Sequence, residues 1–291
     1  MTRRQAVGWV VVVCLVWGIS FTLTKEVLED ITPLLFMGIR FGLASLLLLG
    51  ALRHISRYEL VAGLLLGVLF WAGFTFQTFG LAQTTASRSA FITSLSTPLV
   101  PIVYFLVHRL APDRWTIAAL LLAAFGMYLL TLPNSGGGGL NRGDLLTLGC
   151  ALMFAGQIVA VGHFSGGGSV MRLLAIELMT TAVLSFLFAP VLETPRIDPN
   201  ATLVGLILFL SLSGLWSFYM QLRAQQVLTP THTALLFMLE PVFAAFTSFL
   251  VLGERLRAPQ WVGAGLILAA MAVPSLRGKR VRPVTALSPP L

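Results

Sequence analysis

Three residues place charge inside long apolar stretches: Arg40, Glu177 and Glu240. Apolar surroundings penalise a bare charge, so each calls for a chemical reason. Lining gates or vestibules, a guanidinium and two carboxyls can orient a zwitterionic solute. Glu240 directly precedes Pro241, and its carboxyl can bind backbone groups that the proline frees, or carry a coupling proton. A second set is aromatic and neutral polar. Trp17, Trp71, Trp216 and Tyr219, in a chain also dense in phenylalanines such as Phe218 and Phe237, combine with Gln77, Thr97, Gln157 and Ser217. A cavity so lined suits aromatic or amphipathic solutes. A third set is conformational. Pro98, Pro101 and Pro241 lie far from the ends of their apolar stretches, where a proline deletes a backbone hydrogen bond and kinks a helix. They are candidate hinges.

Each set has a plainer reading. Charged side chains near a helix end can snorkel to an interface or cap backbone carbonyls, aromatic rings pack helices together, and prolines are common in transmembrane helices. The loop His108-Arg109-Leu110-Ala111-Pro112-Asp113 has the His-x4-Asp spacing of some acyltransferases, in which an aspartate orients a catalytic base. A polytopic membrane enzyme using His108 and Asp113 is therefore the alternative function; a solvated basic loop explains the same residues more economically. No zinc helix motif, nucleophile elbow, phosphate-binding loop or paired carboxylate set occurs. No catalytic residue, metal or cofactor is expected, and no segment is long enough for a soluble nucleotide domain.

The elements that must position these residues are membrane helices. Apolar residues make up 57% of the 291 and charged residues 10%, too little charge to cover a soluble domain. The apolar residues come in blocks of roughly 17–20, the length of helix that crosses a hydrocarbon core of about 30 Å. Ten such spans are predicted, at 6–24, 33–52, 60–79, 89–107, 115–132, 144–163, 172–192, 202–221, 234–252 and 260–276. The blocks do not alternate, which sets aside a transmembrane barrel. The first is expected to be a retained helix, since it is too long for a signal peptide and no small-residue cleavage site follows it. Cys14 and Cys150 both fall within predicted helices, which argues against a disulfide framework.

The formal net charge of +8 could suggest nucleic acid, but its distribution points to a bilayer. With loops assigned alternately to two sides, the N-terminal side collects twelve Lys and Arg and the opposite side six. The positive-inside rule then places both termini in the cytoplasm. That margin leans on the four charges of the C-terminal tail.

The two halves repeat weakly but in order. Pro98 pairs with Pro241, Trp115 pairs with Trp261 after a three-residue insertion, and aligning Trp17 with Phe154 brings Arg40 opposite Glu177. Five spans is an odd number, so the second copy enters the membrane from the other side, giving an inverted repeat about an axis in the membrane plane. Residues 1–133 form the first repeat, 134–143 a glycine-rich linker, 144–276 the second repeat and 277–291 a basic disordered tail. In this frame Arg40 lies roughly 10 Å from one face and Glu177 roughly 8 Å from the other, counted at 1.5 Å per residue. No direct ion pair is expected between them. Glycines at four-residue spacing, Gly38 with Gly42 and Gly63 with Gly67, mark close-packing helix faces.

This pattern resembles the EamA type of the drug/metabolite transporter superfamily. The residues that carry the likeness are Leu239-Glu240-Pro241-Val242-Phe243, Leu252-Gly253-Glu254-Arg255-Leu256, Trp17-Gly18, Ile39-Arg40-Phe41 and Gly80-Leu81 with Thr84-Thr85-Ala86-Ser87. The likeness covers all but the tail, and within the group it is nearest to YddG-type aromatic amino acid exporters. The first half departs from the pattern, with Thr97 in place of Glu240 and His108-Arg109 in place of Gly253-Glu254, which implies that the halves have specialised. The resemblance implies an all-α integral membrane carrier of ten helices, a secondary transporter in the cell inner membrane exporting small organic metabolites. Amino acids or aromatic and amphipathic compounds are the expected solutes, moved by alternating access around a central cavity. Its partners would be a small-molecule solute and the lipid bilayer, with no nucleic acid and with monomer or homodimer left open.

Overall fold

A computed structural model of the chain describes residues 1–84, 86–130, 141–244 and 258–275. Among these the fold is all helical: α1 (Arg3–Asp30), α2 (Pro33–Leu46), α3 (Arg57–Gln83), α4 (Ala86–Ser94), α5 (Ser96–His108), α6 (Arg114–Leu130), α7 (Arg142–Phe164), α8 (Val170–Leu192), α9 (Ala201–Gln225), α10 (Pro230–Phe237) and α11 (Ala258–Ser275). Among the described residues six stretches are long and apolar enough to cross a membrane, one of them running through α4 and α5 from Arg88 to His108, and shorter apolar helices accompany them. Residues 134–140 of the glycine-rich linker, the Gly253-Glu254-Arg255 motif and residues 277–291 lie outside the described residues, whereas 141–143, expected in the linker, cap and open α7.

Local chemistry sets the helix ends. Ser56 and Glu59 form a reciprocal capping box at the start of α3, as Asn141 and Asp144 do for α7 and Thr2 and Gln5 for α1. Two spans differ from their hydropathy limits. The helix α1 continues past residue 24 to Asp30, where Pro33 bars further helix and holds the preceding residues extended. At its last turns Lys25 Nζ donates to the carbonyls of Leu81 and Thr84 at 2.7 and 2.9 Å, so the charged residues extend the helix and tie it to the end of α3. The second span is helical only to Leu46 and then tightens into a 3-10 turn over Leu49–Leu52. There the Ser45 hydroxyl turns back onto the Gly42 carbonyl at 2.8 Å.

Contacts between helix ends define two faces. On one, the Asn200 amide donates to Asp30, Leu34 N–H and Leu35 N–H donate to Glu193, and the Thr84 hydroxyl donates to Asp144. On the other, Ser169 N–H and Arg172 donate to Glu59, and the Tyr58 hydroxyl donates to the Phe164 carbonyl. Thus α7 begins on the face where α1 ends. The packing pairs also exchange between halves: α3 lies on α7 as α9 lies on α1, and α3 on α8 as α9 on α2, while α2 meets α8, α5 meets α10 and α6 meets α11.

Large apolar side chains such as Val61, Leu65, Leu121, Leu187 and Val191 face outward, the arrangement expected where lipid is the solvent. Small residues face neighbouring helices instead. A Cβ on Gly67 would lie 2.5 Å from Thr180 Cβ and 3.0 Å from the Glu177 carbonyl, so α3 and α8 approach backbone to side chain at this crossing.

Candidate functional site

Two interrupted helices meet near the centre of the bundle. The helix α4 ends at Ser94, the chain turns at Leu95 with its N–H on the Ile92 carbonyl at 3.1 Å, and α5 resumes at Ser96. Pro98 has no N–H to offer the Ser94 carbonyl, which the Thr97 hydroxyl takes instead. The second half repeats this. The helix α10 ends at Phe237, Leu239 N–H bonds the Leu236 carbonyl at 3.0 Å, and helical backbone resumes at Glu240 just before Pro241. Pro101 sits one turn further into α5. A glycine admits α1 to the second break: a Cβ on Gly18 would lie 2.9 Å from Ala244 N and 3.1 Å from the Glu240 carbonyl.

Between the breaks lies a cavity of about 80 Å³. Its walls come from both halves: Trp17, Phe21 and Thr24 of α1, Arg40 of α2, Phe70, Phe74 and Gln77 of α3, Ser94 and Thr97 at the first break, Phe154 and Gln157 of α7, Phe218 and Gln221 of α9, and Phe237 and Glu240 at the second break. The rings form a continuous wall. Phe70 and Phe74 lie 4.6 Å apart, Phe70 and Phe218 4.7 Å, Phe218 and Trp17 5.8 Å, and Trp17 and Phe237 4.9 Å between centroids. The cavity reaches Leu81, near the end of α3. Toward the opposite face a cluster of Ala6, Val10, Val100, Ile158, Ala234 and Leu228 packs between it and the helix ends.

Two ionisable groups border this space without an ionic partner among the described residues. The Arg40 guanidinium is buried, donates through Nε to the Leu210 carbonyl at 3.3 Å, and lies over the rings of Phe41, Phe36 and Phe74 at 5.2, 5.7 and 5.8 Å. Glu240 is likewise buried on the cavity wall. Neither reaches an interface, so snorkelling does not account for them.

Of the residues expected from sequence to line a cavity, Trp17, Gln77, Thr97 and Gln157 do so, with Arg40 and Glu240. The Trp17 Nε1 is buried and unpartnered. Glu177 sits behind the wall and not in a vestibule: it is fully buried, its Oε1 accepts from Gln157 Nε2 at 2.9 Å, and its Oε2 has no partner. No ion pair joins it to Arg40 among the described residues, in line with their opposite depths. Trp71, Trp216, Ser217 and Tyr219 are absent from the wall. Trp71 packs on Phe188 at 5.0 Å, Trp216 meets Trp9 edge-on at 5.8 Å, Tyr219 packs against the core, and Ser217 is fully buried with its hydroxyl unpartnered.

The reason is rotational. At about 100° per residue, the cavity face of α3 runs through Phe70, Phe74, Gln77 and Leu81, and that of α9 through Phe218 and Gln221. Trp71 is one step off the first face, Ser217 and Tyr219 lie one step to either side of Phe218, and Trp216, about 200° from Phe218, lies on the far side of α9. Phe70, Phe74, Phe154 and Gln221 were not legible as lining residues; a helical series counted in both directions from Gln77 would have found the first two.

Among the described residues no hydrogen bond joins His108 to Asp113. Asp113 accepts from Trp115 N–H and Thr116 N–H at 2.9 and 3.1 Å and from the Thr116 hydroxyl at 2.9 Å, which caps α6. Partial burial works to raise the Asp113 pKa, and the bonds from Thr116 and Trp115 outweigh it, holding the carboxyl below its ordinary range. The His108 ring stacks on Tyr104 at 4.6 Å and lies 5.5 Å from His163. Cys14 and Cys150 are buried free thiols, and no group of three potential metal ligands occurs among the described residues.

A sequence model of the EamA-like transporter family matches residues 4–132 and 141–276. The chain belongs to that family. It is a multi-pass membrane protein of the drug/metabolite transporter superfamily, as the apolar helices and their outward side chains require. An uncharacterized transporter of Archaeoglobus fulgidus is 35% identical over 91% of this chain and 84% of its own. An Escherichia coli protein named "Probable amino-acid metabolite efflux pump" is 26% identical over 94% of this chain and 95% of its own. An S-adenosylmethionine uptake transporter of Rickettsia prowazekii is 25% identical over 74% and 73%. A crystal structure 17% identical in sequence shares the EamA fold with a TM-score of 0.76, over 94% of this chain and 98% of that one.

Proposed function

We propose that this EamA protein is a secondary carrier that exports small organic solutes, amino acids or aromatic and amphipathic compounds, across the cell inner membrane by alternating access. One observation carries the reading. A buried cavity holds two ionisable groups with no ionic partner among the described residues, and it lies between two helices broken at matching positions in the two halves. Broken helices near a bilayer midplane are where carriers of this general build hold their solutes, and a buried charge left without an opposite charge is costly until a partner ion or, for a carboxylate, a proton meets it.

In this reading the chain crosses the membrane ten times as two inverted five-helix repeats, residues 1–133 and 144–276, joined by a linker at 134–143 and followed by a basic tail. Support comes from α7 starting on the face where α1 ends, and from packing pairs that exchange between halves. Pro98, Pro101 and Pro241 act as hinges about which the halves rock. The two-to-one excess of Lys and Arg on the N-terminal side of the loops favours cytoplasmic termini. The cavity then reaches toward the external face and is closed toward the cytoplasm. Amino acids are favoured as solutes by the paired presence of a guanidinium and a carboxyl in an aromatic pocket, and a relative's name points the same way.

The test is counterflow in liposomes holding the purified full chain. Entry of a labelled amino acid, driven by unlabelled solute inside and recovered chemically intact, is expected. Conversion of the solute in place of its movement would reject the carrier.

A further inference from the structure

We infer that Arg40 is the residue that binds the carboxylate of the transported solute, and that the site selects organic anions or zwitterions carrying an aromatic or apolar body over cations of the same shape. The inference rests on the carrier reading above and assigns chemistry to one side of its cavity.

A guanidinium has five N–H donors. Here Nε uses one on the Leu210 carbonyl at 3.3 Å, and no other hydrogen bond holds the group among the described residues. No carboxylate among the described residues is within ion-pair range of it, while Arg40 itself lines the cavity. The free edge of a planar fork matches a carboxylate in two parallel bonds. The surroundings hold the charge without neutralising it. Three rings lie within 6 Å of the guanidinium carbon, and faces of this kind attract a cation yet carry no net charge. An anion is still required.

The opposing wall is shaped for the same arrangement. Gly214 of α9 leaves room for the guanidinium: a Cβ there would come 3.1 Å from Arg40 Nη2 and 3.4 Å from the Phe218 ring. Beyond Phe218 stands Trp17, whose indole N–H is buried with no acceptor. Two unused donor groups thus flank a single phenylalanine ring. A solute that stacks on Phe218 and presents acceptor oxygens satisfies them; an ammonium in the same place meets like charge and donors, with only ring faces to favour it.

Two probes with one skeleton test this, 3-phenylpropionate and 2-phenylethylamine, which differ only in the charged end of a phenylethyl body. Equilibrium binding of each labelled probe to the purified full chain in detergent should favour phenylpropionate by about tenfold or more, the worth of one charge-assisted contact in a dry site. Arg40→Met should bring the two probes to within about threefold, and Arg40→Lys should keep part of the preference, as a point charge without the fork. The wild-type preference decides the matter even if a variant does not fold. Equal binding of both probes, tighter binding of phenylethylamine, no binding of either, or a preference unchanged in Arg40→Met would each overturn the assignment. Counterflow of phenylalanine separates this from the carrier reading. Flux without the charge preference removes Arg40 and leaves a carrier, whereas the preference without flux of any probe keeps the anion site and removes the carrier.

Discussion

Gln157 Nε2 donates to Glu177 Oε1 at 2.9 Å, and this one bond links a fully buried carboxyl on α8 to the cavity wall. The link continues. Gln221 Nε2 donates to Gln157 Oε1 and to Gln225 Oε1, each at 3.2 Å, and Gln225 Nε2 donates to the Ile158 carbonyl at 2.8 Å. Two of these glutamines, Gln157 and Gln221, face the cavity. The chain of amides is therefore the one polar path among the described residues from the cavity to Glu177. A solute that bonds Gln157 competes for the same amide.

Removing one end of that path should be felt at the other. Gln157→Leu leaves Glu177 with neither oxygen bonded, at a cost of about 1–3 kcal/mol for a stranded buried acceptor. Glu177→Leu strands the Gln157 amide. Because each variant breaks the same bond, the pair should show a coupling of about 0.5–3 kcal/mol in a double-mutant cycle. Thermal unfolding of the four proteins in one detergent measures it. Strict additivity would mean that the bond contributes nothing to stability.

Close packing of α3 on α8 predicts a second stability change. Gly67→Ala places a Cβ 2.5 Å from Thr180 Cβ, and overpacking of this kind costs about 1–3 kcal/mol. Gly205 on α9 has nothing within 4 Å of its would-be Cβ, so Gly205→Ala should leave the unfolding temperature unchanged or raise it. The comparison is internal, since both replace a helical glycine with the better helix former. Equal effects of the two would show that the crossing is looser than the distances state.

Asp113 distinguishes a helix cap from a catalytic group. Asp113→Ala should lower stability by about 1 kcal/mol, the usual worth of an N-cap, and leave counterflow intact, as should His108→Ala. The pH sign follows from the carboxyl's depressed pKa. A group held below its unfolded value of 3.8 gives its full contribution above that pH and loses it as pH falls toward the folded value. The difference between wild type and Asp113→Ala should accordingly shrink as the pH drops through 4 and below, approximately the unfolded carboxyl range. Loss of counterflow in either variant with the fold retained would return the loop to the functional site.

What was legible in the sequence follows the same physics. Proline positions announce the two helix breaks because a proline acts through its own missing N–H, wherever it sits. Gly63 and Gly67 announce the α3–α8 crossing because small residues are needed where backbones approach. The cavity face of α9 was not legible. In a soluble helix a polar stripe marks the outside, but in α9 the polar residues Ser211, Ser217, Gln221 and Gln225 are buried, so polarity does not point outward and hydropathy gives no rotational setting. Trp216, Ser217 and Tyr219 are as conspicuous in the sequence as Phe218 and Gln221, and only packing against α1, α2 and α7 decides which of them face the cavity. Helix ends failed for a related reason. Lys25 and Glu26 look like loop, yet Lys25 is held on the terminal carbonyls of α3, which satisfies its charge within a continuing helix.

On the carrier reading, Glu240 is the group through which transport would respond to protons. Its carboxyl lies on the cavity wall at the second helix break, beside an α1 that Gly18 brings within van der Waals contact, and no cation lies within ion-pair range among the described residues. In such surroundings the bare carboxylate is costly. Two visitors can relieve it, a proton or the ammonium of a solute. They exclude one another at a single carboxyl, so binding of one releases the other. On that reading the competition would couple a proton to each solute moved and make flux depend on pH. Glu240→Gln keeps the shape and the hydrogen-bonding capacity but can neither take up nor release the proton. Counterflow by Glu240→Gln should therefore persist at a reduced rate and become flat with pH between about 5 and 9, where the wild type changes. Flux of 3-phenylpropionate, which has no ammonium, should lose less in this variant than flux of phenylalanine. A Glu240→Gln protein whose flux kept the wild-type dependence on pH would show that the proton, if one moves, is carried elsewhere.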